Sequence, residues 1–473
     1  MQFLGKPSMR LSTHSRAWSE KASRSNWLAA ILLAFALALG GGGSPAPLPE
    51  IILECLAALV LVLWMLGEPH WRRVPRLAWI IVGIVAAVPA LQLIPLPPLL
   101  WHALPGRSVE FDALTLIGEQ SSWRTLSLAP ARTLTSLLSL GPPLLLLAMT
   151  SALDKGGRLA LIGSIAVMAG FTFILGALQH SLGEDSPLQL YGDMSQTLQG
   201  FQANYNSTAD LLLIALMTGP VLVRGLAERR LLTNSASVML AISGASMSLC
   251  GISVVLTSSR MGIALLPIPI AASVWILRPW LRITRRAFLA TLCVAFVTLP
   301  VCFALAQTNP VLTNVIARFR FADEIRPQLW RDGFFAAQKY FPFGVGMGDF
   351  VPAYIADERL EVIEQLMPNR AHNELIELTT EAGLFGLVAI CAVYFLLIRE
   401  NWRRRGVTKK PSSDFVCFAS TAFGIIALHS MVDYPLRSLS LASLCGVCAG
   451  LLLTPRPSEL ISAIDQHAGP SGG

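Results

Sequence analysis

Apolar residues recur along the chain in stretches of about 20 residues, and short polar segments separate them. A stretch of this length is what one α-helix needs to cross the hydrocarbon core of a bilayer. The pattern predicts an all-α polytopic membrane protein with about 12 transmembrane helices. The predicted spans are 27–43, 50–67, 77–95, 133–152, 159–180, 208–224, 236–256, 261–277, 287–306, 383–398, 414–432 and 438–454.

These spans divide the chain into five predicted regions. A tail (1–26) precedes nine spans (27–306), and a large loop follows them (307–382). Three further spans (383–454) lead to a second tail (455–473). Long connectors are usually functional, so we expect this loop to be more than a connector.

The Lys and Arg residues are unevenly divided between the two sides of the membrane that these spans define. If the N-terminus is cytoplasmic, two thirds of them fall in cytoplasmic segments. Positive residues mark cytoplasmic loops, so both termini are predicted to be cytoplasmic. The opposite side then carries three longer segments, 96–132, 181–207 and 307–371.

The composition also indicates a membrane protein. Hydrophobic residues make up 53% of the chain and charged residues 14%, against about 25% charged residues in a soluble domain. The net charge of +7 follows mostly from the topology, so we predict no nucleic-acid partner. All eight cysteines fall in apolar stretches, so we predict no disulfide framework.

Polar residues that are distant in sequence fall on the side opposite the termini. The segment NRAHNELIELTTEAG, residues 369–383, places Arg370, His372 and Asn373 ahead of a span. Charges at a bilayer boundary are costly unless they are paired or functional. The other candidates on this side are Asn204, Asn206, Arg260, Arg318, Arg320, Arg326, Arg331, Asp433 and Arg437.

These residue types suit phosphate recognition and proton transfer. Arginine stays cationic and its planar fork matches two phosphate oxygens, and histidine titrates near neutrality, as a general base must. The sequence has no GxxxxGK[ST] phosphate loop and no HExxH motif, so we expect neither a nucleotide nor a metal to take part.

Structural roles are the alternative for each of these residues. Arg260 would then anchor a turn at the membrane interface, and His372 would be a structural histidine. Asp433 and Arg437 would form a local ion pair that pins a turn.

Several short motifs follow one another in a characteristic order on this side. They are Asn204-Tyr-Asn206, Ser259-Arg260, Arg326-x-x-x-Trp330, Pro342-Phe-Gly344-Val-Gly346, His372-Asn373, Glu381-x-Gly383-x-x-Gly386 and HSMVDYPLR at 429–437. Over residues 200–455 their order resembles that of the bacterial O-antigen ligases and Wzy-type polysaccharide polymerases. The first spans resemble this superfamily only in hydropathy.

The resemblance implies a GT-C-like glycosyltransferase that acts at the periplasmic face of the bacterial inner membrane without a metal or other cofactor. Its donor would be a glycan on undecaprenyl diphosphate, and its acceptor a lipid-linked repeat unit or lipid A–core. Inner-membrane lipids, a flippase and a chain-length regulator would be its partners.

By motif, the resemblance implies that His372, Arg260 and Arg326 are catalytic. His372 would accept the proton of the acceptor hydroxyl, and the two arginines would stabilise the departing diphosphate. The substrate-binding residues would be Arg331, Arg370, Asn373, Asn204, Asn206 and Arg437.

The acceptor separates the possible members of this superfamily. We favour a polymerase of exopolysaccharide or O-antigen repeat units, because the HSMVDYPLR segment and the twelve-span length resemble exopolysaccharide-cluster members. An O-antigen ligase and a protein O-oligosaccharyltransferase are the alternatives. A twelve-span transporter is a distant one, since transporters place ionisable residues at mid-membrane and have repeated halves.

Overall fold

The structure, a computed structural model, is mainly α-helical in the residues that it describes. These are residues 13–43, 47–67, 70–183, 185–192, 194, 197–232, 235–281, 326–359, 370–405 and 412–454. Within them, the only strands are β1 (Pro95–Leu96) and β2 (Arg124–Thr125), which pair antiparallel.

The helices follow the apolar stretches of the sequence. The first ten are α1 (Thr13–Leu39), α2 (Pro47–Leu66), α3 (Arg76–Gln92), α4 (Pro98–His102), α5 (Ser108–Leu116), α6 (Pro130–Ser139), α7 (Gly141–Ala152), α8 (Lys155–Leu182), α9 (Tyr205–Ala215) and α10 (Thr218–Glu228). The others that the structure describes are α11 (Ala236–Leu256), α12 (Arg260–Leu265), α13 (Pro267–Leu281), α14 (Arg326–Tyr340), α15 (Phe350–Asp357), α16 (Glu374–Arg405), α17 (Ser412–His429) and α18 (Leu439–Leu453).

Helix α1 illustrates how the sequence builds this bundle. Leu33, Ala36 and Leu37 are fully buried at helical spacing, whereas Ile31 and Phe35 are about half exposed. Apolar side chains on the outer face are what a helix in contact with lipid tails requires.

Seven apolar segments among the described residues are long enough to cross a membrane. They are Leu48–Leu66, Pro130–Ala152, Lys155–Leu182, Tyr205–Glu228, Ala236–Leu256, Arg260–Leu281 and Glu374–Arg403. Four shorter apolar helices, Ser25–Leu39, Arg76–Gln92, Ser413–His429 and Leu439–Leu453, coincide with further predicted spans. The predicted span 287–306 lies outside the described residues. The helical membrane protein is therefore confirmed, while the number of twelve spans and the GT-C-like fold stay predictions.

Contacts between helix ends show that the bundle has two distinct ends. At one end, Ser440 N of α18 donates to Gly40 O, just after α1, over 3.0 Å. At the other end, Arg224 Nη1 of α10 donates to Asp414 Oδ1 of α17 over 3.0 Å. His372 and the loops between α3 and α6 lie at the first end, which we call the His372 end. The compartment that this end faces stays a prediction.

Helix α16 is broken at Gly383, whose φ of 55° and ψ of −140° lie outside the helical region. A loop docks into the break: Gly346 N donates to Glu381 O, and Leu384 N donates to Pro342 O, each over 2.9 Å. A Cβ at position 383 would lie 2.1 Å from Pro342 O, so only glycine admits the loop. The docked loop satisfies backbone groups that the break leaves without helical partners.

Helix α18 approaches the backbone of α7 closely through two glycines one turn apart, Gly446 and Gly450. A Cβ would lie 2.2 Å from Pro143 O at the first position and 2.7 Å from Leu147 O at the second. Small residues at this spacing let two membrane helices pack backbone to backbone. This contact holds α18, and with it the turn that precedes α18, against the bundle.

We expect Gly446→Ala to lower the thermal midpoint of the purified protein, because overpacking a close helix contact costs about 1–3 kcal/mol. The measurement is a melting curve followed by intrinsic fluorescence in detergent. Gly424→Ala is the matched control, since a Cβ at position 424 meets nothing within 4 Å. Equal midpoints for the two variants would contradict the packing interpretation.

Candidate active site

A chain of hydrogen bonds at the His372 end links segments that are far apart in the sequence. His372 Nδ1 lies 3.0 Å from Asp433 Oδ1, and Asn206 Nδ2 donates to Asp433 Oδ2. Ser259 Oγ donates to Asn206 Oδ1 over 2.6 Å. We call His372, Asp433, Asn206 and Ser259 the His372 network. It brings the predicted site residues His372 and Asn206 together.

Two residues that cap helices, Asn204 and Ser259, fix the position of this network. Asn204 caps α9: its Oδ1 accepts from Asn206 N over 2.8 Å, and its Nδ2 donates to Asp433 Oδ2 over 3.3 Å. Ser259 caps α12 by accepting a hydrogen bond over 3.0 Å from the first turn. Such caps satisfy backbone N–H groups that have no helical partner. Both helices therefore begin at the network, and the half-buried Arg260 is the first residue of α12.

His372 has an unusual backbone conformation, with a φ of 49° that few residues other than glycine adopt. Trp330 Nε1 donates to His372 O over 3.2 Å, and the ring of Tyr434 packs edge-on with centroids 5.0 Å apart. These contacts hold the strained residue in place. The His372 side chain is 26% exposed. Because Asp433 holds Nδ1, Nε2 is the ring nitrogen left to accept a proton.

Asp433 is buried but remains ionised. Burial alone would raise the pKa of this carboxyl group. The hydrogen bond from His372 and the charges of His372, His429 and Arg326 outweigh burial, so the pKa of Asp433 is below its ordinary value. An ionised carboxylate orients the imidazole and stabilises the imidazolium that forms when Nε2 takes a proton. This is the arrangement of a general base and its orienting acid.

Arg326 adds a charge near the network. It is the first residue of α14 and is half-buried. It lies one helical turn before Trp330, so the two side chains share a face of the helix. Its charge acts on both Asp433 and His429. The structure thus adds a permanent positive charge to the surroundings of His372.

Two arginines predicted to bind substrate are held by buried glutamates of α16. Arg437 Nε donates to Glu374 Oε1 over 2.9 Å, and its Nη1 donates to Glu381 Oε2 over 2.5 Å. Arg370 Nη1 donates to Glu377 Oε2 over 3.3 Å. We call these five residues the carboxylate cluster. Burial lowers the pKa of Arg437, but the charges of Glu381, Glu377 and Glu374 outweigh it and raise that pKa above its ordinary value.

The cluster corrects one interpretation of the sequence. A local ion pair between Asp433 and Arg437 was an alternative, and it is wrong, because Asp433 bonds to His372 while Arg437 bonds to Glu374 and Glu381. The two residues lie in one short turn but serve different partners.

The remaining predicted residues have more peripheral places. Asn373 Oδ1 caps α16 by accepting from Leu375 N over 3.0 Å, and its Nδ2 donates to Met431 O over 2.9 Å. Arg331 is exposed on α14. Arg318 and Arg320 lie outside the described residues.

No group of three or more His, Cys, Asp or Glu side chains in the described part of the chain could hold a metal ion. The carboxylates near His372 are instead matched by histidine, asparagine and arginine. What the site offers chemically is a base, its orienting carboxylate and fixed positive charge.

A second buried pair lies beneath the network, and the sequence interpretation did not include it. His429 Nδ1 lies 2.6 Å from Asp210 Oδ1, and both side chains are 1% exposed. The spacing in the sequence could have indicated this pair. Asp210 follows Asn206 by one helical turn, and Asp433 follows His429 by the same interval.

Comparison with known families finds a match over part of the chain. Residues 245–391 match the family model described as O-antigen ligase, a region that includes Ser259, Arg260, Arg326 and His372 but neither Asn206 nor Asp433. No curated protein matches the chain. The match confirms the resemblance that the motifs indicate. The chain is thus a helical membrane protein whose residues 245–391 are similar to the O-antigen ligase family.

Proposed function

We propose that this protein is a glycosyltransferase at the periplasmic face of the inner membrane that polymerises exopolysaccharide or O-antigen repeat units. Its donor is a glycan on undecaprenyl diphosphate. The observation that carries the proposal is the partly exposed His372 with its Nδ1 held by an ionised Asp433. The uneven distribution of Lys and Arg supports the orientation of the site.

The proposed reaction is a direct displacement at the anomeric carbon of the donor sugar. Nε2 of His372 takes the proton of the acceptor hydroxyl while the hydroxyl oxygen bonds to that carbon. The bond from the carbon to the diphosphate breaks, and the diphosphate leaves with the electron pair. Asp433 stabilises the imidazolium, and Arg260 and Arg326 stabilise the growing negative charge. The donor is already activated, so the reaction needs no nucleotide, and the two arginines supply the positive charge that a metal ion would otherwise provide.

The site residues then divide into two roles. His372, Arg260 and Arg326 act on the reacting atoms, and Arg331 is left as an exposed contact for the glycan. Asn204, Asn206, Asn373, Arg370 and Arg437 position this machinery, because each is already bonded to protein groups. A flippase that delivers the donor and a chain-length regulator are the expected partner proteins.

An O-antigen ligase would use the same donor and the same base, and would differ only in its acceptor, lipid A–core. A protein O-oligosaccharyltransferase would transfer the glycan to a side chain. A transporter is the distant alternative, and loss of transport rather than of glycan linkage would reveal it.

His372→Ala should abolish glycan transfer without lowering the amount of protein in the membrane. The variant is expressed in a deletion strain, its level is measured by immunoblot, and lipid-linked and surface glycans are sized on gels. A polymerase variant accumulates single undecaprenyl-linked repeats. A ligase variant accumulates full-length undecaprenyl-linked chains, and a protein glycosyltransferase variant leaves its acceptor proteins unmodified.

The matched control is His102→Ala, which removes an exposed histidine that stacks on Phe111 in the segment between α3 and α6. It should leave the glycan unchanged. Normal glycan from His372→Ala itself would show that His372 is structural and would refute the mechanism.

Asp433→Asn should lower turnover by about 10²–10⁴-fold, the range that general base catalysis contributes. The amide can donate to Nδ1, which favours the wrong imidazole tautomer and gives the imidazolium no counter-charge. The measurement is the rate of product formation per folded molecule in detergent. Asp357→Asn, which removes a carboxylate paired with Lys339 over 2.6 Å, is the control. An Asp433→Asn rate equal to the wild-type rate would contradict the assignment.

A further inference from the structure

Helix α9 and the end of α17 are joined by two hydrogen-bonded pairs one helical turn apart. The upper pair is Asn206 with Asp433, and the lower pair is Asp210 with His429, whose Oδ1 and Nδ1 lie 2.6 Å apart. Asp433 N donates to His429 O over 2.9 Å, so the last turn of α17 continues into the network. A shift of the lower pair would therefore also move the upper pair.

Stability does not explain the lower pair. Both side chains are 1% exposed, and Asp210 Oδ2 has no hydrogen-bond partner among the described residues. Removing two ionisable groups from water costs several kcal/mol per ion, and apolar replacements of such pairs are often neutral or stabilising. Ionisable residues inside a membrane bundle are usually retained for function.

We propose that Asp210 and His429 are positioning residues that fix Asp433 and, through it, the orientation of His372. This inference rests on the proposed function, because it adds two residues to the same general base. Asp433 lies in the turn between α17 and α18, four residues beyond the end of α17. Its carboxylate is held by Asn204 and Asn206, and its N–H by the carbonyl of His429.

The lower pair determines where His429 can lie. His429 Nδ1 is hydrogen-bonded to Oδ1 of Asp210, which belongs to the same helix as Asn206, so one helix aligns both pairs. Neither residue reaches the surface that the substrate contacts, because both are buried. Their loss should therefore lower kcat and leave KM unchanged.

The test measures kcat and KM of purified, monodisperse protein with total lipid-linked oligosaccharide extracted from the deletion strain. The main variant is Asp210→Leu with His429→Phe, which removes the hydrogen bond without leaving a lone buried charge. If it gives no monodisperse protein, Asp210→Ser replaces it, since a serine side chain is too short to reach His429. Asp414→Asn is the matched control, because it breaks a pair at the opposite end of α17.

We expect the double replacement to lower kcat by about 10²-fold, the cost of misplacing a catalytic group by about 1 Å. Combined with Asp433→Asn it should cause no further loss, because residues that act through one another are not additive. His429→Asn, which keeps an N–H donor towards Asp210, should retain most of the turnover, and Asp414→Asn should retain all of it.

Three results would overturn the inference: wild-type kcat in the double replacement, losses that multiply with Asp433→Asn, or His429→Asn as impaired as the double replacement. His372→Ala in the same assay separates this inference from the proposed function. An active His372→Ala refutes the function itself, whereas an inactive His372→Ala beside a fully active double replacement refutes only the positioning role.

Discussion

The carboxylate of Asp433 is buried, ionised and bonded to three side chains from two separate parts of the chain, His372, Asn204 and Asn206. A buried carboxylate without these donors would be strongly unfavourable. The requirement therefore draws the start of α9 and the residues ahead of α16 to the end of α17. Trp330 then brings α14 to the same place through the carbonyl of His372. One negative charge organises segments that no local pattern would join.

The turn that carries Asp433 is fixed from both sides. Asp433 faces the base, and Arg437, at the end of the same turn, bonds to glutamates of α16. His372 lies just ahead of α16. It is therefore linked to the turn that carries Asp433 twice, once by its own hydrogen bond to Asp433 and once through the carboxylate cluster. Such redundancy would keep the groups of the proposed active site in place before substrate arrives, which is what electrostatic stabilisation of a transition state requires. The close packing of α18 on α7 also holds this turn, because α18 begins directly after it.

Much of the fold followed from hydropathy, because a bilayer leaves helices as almost the only solution for a long apolar stretch. The motifs also named His372, Arg326 and Asn206, which lie together. The partners of these residues did not follow, since pairing depends on how helices pack. HSMVDYPLR contains His429, Asp433 and Arg437 within nine letters, yet the first two bond to α9 and the third bonds to α16. The sequence revealed only that Arg437 is positively charged. Arginine binds carboxylates as well as phosphates, so its partner could not be predicted from the sequence.

The left-handed backbone conformation of His372 lowers the stability of the fold at the position that carries the proposed base. A glycine there would relax a conformation that costs a histidine about 1–3 kcal/mol, and it would remove the imidazole. Under the proposed mechanism, a library of variants screened for thermal stability alone would therefore enrich an inactive protein. Thermostabilisation of this protein for structural work has to hold position 372 constant, and gains have to come from the lipid-facing helices instead.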